Sequence, residues 1–83
     1  MSKIYTGIEE KILEIITEIN PYVDINKYSK LIEEKIIDSL GIMVLIQELE
    51  TEFEINIQED DISIDNFKDI AGIEALVLKS RRI

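Results

Sequence analysis

Residues 38–53 read DSLGIMVLIQELETEF: an aspartate, a serine, then an apolar run that turns acidic. Asp38 is a good helix N-cap, because its carboxylate accepts hydrogen bonds from the free amides of a first turn. The pattern predicts an amphipathic helix running to about Phe53, with Met43, Leu45, Ile46, Leu49 and Phe53 facing inward. Leu40, Gly41, Val44, Gln47, Glu48 and Thr51 fall on the outer face. Ser39 thereby stands in the first turn, where the positive helix end favours an attached phosphate. Gly41 costs helix stability, roughly 1 kcal/mol relative to alanine, which is consistent with close approach of a partner there.

The rest of the chain offers little other chemistry. Its 83 residues contain neither cysteine nor histidine. That leaves no disulfide, no thiol nucleophile and no imidazole base or metal ligand, so an autonomous enzyme is not expected. The length allows one small domain, residues 1–83, and 46% apolar residues are enough to pack it. No apolar stretch approaches the roughly 20 residues that span a bilayer. The N-terminus lacks the layout of a signal peptide, and the expected location is the cytoplasm.

Charge is distributed unevenly. The net charge is −9, yet residues 1–78 hold 18 acids against six bases, a local balance of −12. Nine of those acids lie between Glu48 and Asp69, beside the single Lys68. Such a surface repels phosphate backbones, which disfavours nucleic acids and anionic membranes, and it steers basic partners inward.

Outward from residues 38–53, the chain divides into further helices. Thr6 and Glu9 form a T-x-x-E capping box, followed by Ile8, Ile12, Ile15, Ile16 and Ile19 at helical spacing, with Leu13 widening the stripe. Asn20-Pro21 ends that helix. Residues 22–37 show no clean period and read as a long loop with a turn near Lys30–Glu34. After Phe53, Ile55 and Ile57 alternate through a connector. Glu59–Ile62 makes one helical turn, and Asn66-Phe67 a turn that buries its ring. Asp69 caps a last helix to about Lys79, with Ile70, Ile73, Leu76 and Val77 inward and the cations Lys79, Arg81 and Arg82 at its C-terminal end. There is neither an evident repeat nor a linker. The expected fold is all-α, a small four-helix bundle of three main helices and one short one. A calcium loop at Asp61-x-Ser63-x-Asp65 fails, since Asn66 and Gly72 stand where glycine and glutamate are required. No metal site is expected.

IIDSL, an apolar-acidic helix ending in ELETEF, an I-x-I connector, an acidic turn and NF-x-D-I together resemble the acyl carrier and peptidyl carrier protein superfamily, from the capping box to Val77. The resemblance implies that Ser39 is esterified by 4′-phosphopantetheine from coenzyme A, through a separate phosphopantetheinyl transferase whose metal would lie near Asp38. The arm's thiol would then carry acyl or aminoacyl groups as thioesters for an adenylating ligase or synthase. The chain would act as a monomer and not as an enzyme. Leu40, Gly41, Val44 and Gln47, with Glu48 and Thr51 on the rim, would meet the transferase or ligase.

Two departures bear on the pathway. Such carriers often have glycine four residues before the serine, where this chain has Lys35, so a different backbone path into the site is expected. Fatty-acid carriers typically have acids two and five residues after the serine, where this chain has Gly41 and Val44. The run is closer to free-standing carriers of D-alanylation and of aminoacyl or polyketide-type pathways. A fatty-acid-synthesis carrier and an unmodified helical interaction domain remain the alternatives.

Overall fold

A computed structural model describes residues 7–81. Four α-helices form: α1 (Ile8–Ile19), α2 (Ser39–Phe53), α3 (Ile64–Phe67) and α4 (Ile70–Ser80). A 3₁₀ turn at Glu59–Asp61 precedes α3, and no strand occurs among the described residues. The chain is a small helical bundle in which α1 packs against both α2 and α4, and α3 packs on α4.

The isoleucine stripe of α1 is the spine of the core. Ile8, Ile12, Ile15 and Ile16 are buried, and Leu13 and Ile19 pack at its edge. Leu45 and Leu49 of α2 and Ile70, Ile73, Leu76 and Val77 of α4 complete it, with Phe67 from α3 almost wholly enclosed. Burying each such side chain is worth about 1.5–3 kcal/mol before the entropic costs of folding. Helix α1 follows the N-cap Gly7, whose φ of 95° glycine alone adopts readily, and no side chain among the described residues caps this end. Thr6 of the expected capping box lies outside the described residues, as does Arg82.

The long segment between α1 and α2 contains a turn over residues 31–35 and is fastened by Leu31, Ile36 and Ile37, all buried. Its first half is another matter, since Tyr22 and Tyr28 are exposed. Glu50 ties down the connector after α2, its Oε2 accepting the Ile57 amide at 3.0 Å. Ile57 is thereby delivered to the core. Lys79 joins the last turn of α4 to the 3₁₀ turn through Asp61, 2.8 Å away.

Candidate functional site

Asp38 caps α2 as its sequence predicts. Its extended backbone places Oδ1 2.8 Å from the Gly41 amide, and its carbonyl accepts from Ile42 at 2.9 Å. The first bond fills one of the four donors that a helix start leaves open, and the second is the first regular bond of the helix. The amides of Ser39 and Leu40 make no hydrogen bond among the described residues. Ser39 is exposed beside them. A phosphodiester on its hydroxyl fits this end: two open N–H donors and the positive helix pole adjoin it. The Asp38 carboxylate adjoins it too, with Oδ1 engaged by the Gly41 amide.

The approach to Ser39 follows a left-handed residue. Lys35 has φ 59°, one of two non-glycine residues at positive φ among those described. This is the region that favours glycine, so the lysine sits on a backbone conformation that glycine adopts more readily. Lys35 forms no ion pair among the described residues. With Ile19, Asn20, Ile36, Ile37, Asp38 and Gly41 it lines a shallow cleft of about 180 Å³ at the foot of α2.

The outer face of α2 differs from its sequence reading at two positions. Leu40, Val44, Gln47, Glu48 and Thr51 are exposed as expected, but Gly41 is buried. A Cβ on Gly41 would stand 3.0 Å from Ile37 Cγ2 and 3.3 Å from Asp38 Oδ1. The glycine is therefore there to let α2 close on its own preceding loop, and Gly41 cannot serve as a docking contact. Met43, expected inside, is 69% exposed. Its place is taken by Ile42, which packs against the core. Five consecutive apolar residues, Ile42–Ile46, gave the pattern no polar marker of phase, and the buried row Gly41, Leu45 and Leu49 fixes it. Leu40, Met43 and Val44 thus form an exposed apolar stripe beginning one residue after the serine.

Among the described residues no cluster of acids is arranged to hold a metal ion, and no helix is long and apolar enough to cross a membrane. No protein-family model, curated protein or solved structure matches this chain.

Proposed function

We propose that this chain is a carrier protein in which Ser39 is the attachment site of 4′-phosphopantetheine. The observation that carries the reading is an exposed serine at the first position of a capped helix, flanked by open amides and the Leu40–Met43–Val44 stripe. In loading, Ser39 Oγ displaces the adenosine bisphosphate portion of coenzyme A at phosphorus. The serine proton passes to the transferase or its solvent, since the chain has no histidine to take it. The arm would supply a thiol that this cysteine-free chain lacks.

The stripe is the surface on which a transferase or an adenylating ligase would dock, with Gln47, Glu48 and Thr51 beyond it. Its apolar character favours an aminoacyl, polyketide or nonribosomal-type pathway over fatty-acid synthesis. A basic rim on the partner would complement Glu48 and the acids that follow.

Intact mass before and after incubation with coenzyme A and a broad-specificity phosphopantetheinyl transferase tests the proposal. Gain of one phosphopantetheine by the wild type and none by Ser39→Ala is expected. No gain, in a sample shown to carry no arm beforehand, refutes it and leaves a helical domain that works through protein contact alone.

A further inference from the structure

The last residue of α1, Ile19, and the C-cap that follows it, Asn20, lie against the two flanks of Ser39. Upstream, Asn20 Nδ2 donates to the Ile36 carbonyl at 2.9 Å, three residues before the serine. Downstream, Ile19 Cγ2 lies 3.6 Å from where a Cβ on Gly41 would stand, two residues after it. The intervening segment is tied on its far side as well. The Ile36 and Ile37 amides both donate to the Leu31 carbonyl, at 2.8 and 3.1 Å, and the Leu31 amide donates to the Lys68 carbonyl at 2.8 Å.

Of these ties, the Asn20 bond alone joins a side chain of the α1 terminus to the chain entering α2. The Asn20 side chain is held at its other end too, with Oδ1 accepting from the Tyr22 amide at 3.4 Å. Its own amide still closes α1 on the Ile16 carbonyl. The side chain is thus free to bridge because the helix ends here, and Pro21 ensures that it ends.

We propose that Asn20 is a positioning residue for Ser39. By holding the Ile36 carbonyl it fixes the entry of the chain into α2, and with it the direction in which the serine hydroxyl is offered. This inference rests on the carrier reading of the site. Asn20 touches neither the reacting atoms nor the exposed stripe; it acts through Ile36, Ile37 and the Asp38 cap.

The test compares two full-length variants that each lose one asparagine-to-carbonyl bond. Asn20→Ala removes the bond to Ile36; Asn66→Ala removes the 2.6 Å bond to the Asp61 carbonyl, beside α3. Loading of Ser39 from coenzyme A is followed by mass at a temperature where circular dichroism shows both folded. Asn20→Ala is expected to lower kcat about fivefold with KM unchanged, the size of one net hydrogen bond, and Asn66→Ala to leave both near wild type. Amide hydrogen exchange at Ile37, Gly41 and Ile42 should quicken by a similar factor in Asn20→Ala alone. Equal loading by both variants, unchanged exchange at those amides, or a rise in KM alone would overturn the proposal while the carrier reading stands. Absence of loading in the wild type would overturn both.

Discussion

Replacing Gly41 with alanine separates two explanations of a glycine in the first turn of α2. If the glycine only admitted a partner, alanine would stabilise the helix by roughly 1 kcal/mol and weaken docking. The packing argues the opposite. The added Cβ would meet Ile37 Cγ2 at 3.0 Å and Asp38 Oδ1 at 3.3 Å. Ile37 is buried, and its Cγ2 is bonded directly to its Cβ, so the methyl cannot swing aside. The Asp38 oxygen is fixed by the cap. Overpacking of this kind typically costs about 1–3 kcal/mol. Set against the propensity gain, the net change is a loss of roughly 1 kcal/mol. For a domain of this size that lowers Tm by about 4–8 °C. Urea unfolding should show a lower midpoint with an unchanged slope, the mark of altered stability without altered compactness. Gly72→Ala should lose more, because its Cβ would stand 2.9 Å from the Asn66 carbonyl oxygen, a backbone atom. An unchanged or raised Tm in Gly41→Ala would refute the packing argument.

Lys35→Gly relieves a left-handed lysine. The relief of about 1–2 kcal/mol exceeds the extra unfolded-state entropy of about 0.4–1 kcal/mol, so the urea midpoint should rise slightly, and a fall would show that the lysine side chain is needed for folding. Met43→Glu and Val44→Glu should leave Tm near wild type while slowing transfer of phosphopantetheine onto Ser39, read by mass; unaltered transfer would move the docking surface elsewhere. Glu48→Lys should slow association with a basic-rimmed partner more at low salt than at high salt in surface-binding kinetics, and a salt-independent effect would exclude charge steering. The hydrogen bond and charge of Glu14, with Glu52 beyond it at 3.6 Å, hold the Lys11 ammonium above its ordinary pKa. Its contribution is therefore fully present below the unfolded lysine value, near 10.4, and fades only as pH rises through the higher folded value. The Tm difference between wild type and Lys11→Gln should accordingly stay flat from neutrality to about pH 9; a slope in that range would refute this.

Much of the bundle was legible because its signals are local. The α1 isoleucines repeat at helical spacing, and Asp38 and Asp69 announce the starts of α2 and α4, each accepting an amide at 2.8 Å from the glycine three residues on. What was illegible depends on neighbours distant in sequence. The phase of α2 within Ile42–Ile46 goes with the burial of Gly41, where a Cβ would stand 3.0 Å from Ile37 Cγ2 and 3.6 Å from Ile19 Cγ2, neighbours that no periodicity in the helix encodes. The same holds for Asn20: a helix-ending asparagine before proline gives no sign that its amide reaches residue 36. Of the candidate site, the serine and its cap could be read directly, whereas Met43 and Gly41 exchanged sides.

The two helix starts also supply an internal comparison for Ser39. DSLGI at 38–42 and DIAGI at 69–73 share the aspartate, the glycine and the following isoleucine, and both build the same Asp-to-amide cap. They differ at the residue after the aspartate. In α4 it is Ile70, fully buried; in α2 it is Ser39, exposed. The cap therefore does not require a serine, and Ser39 contributes neither to the core nor to the capping bond. Ser39→Ala should then change Tm by less than about 4 °C, since exposed substitutions away from such features stay within about 0.5 kcal/mol. A larger fall would show that the hydroxyl is structural. A flat Tm alongside complete loss of loading would leave attachment of the arm as the one property of this helix start that the serine supplies.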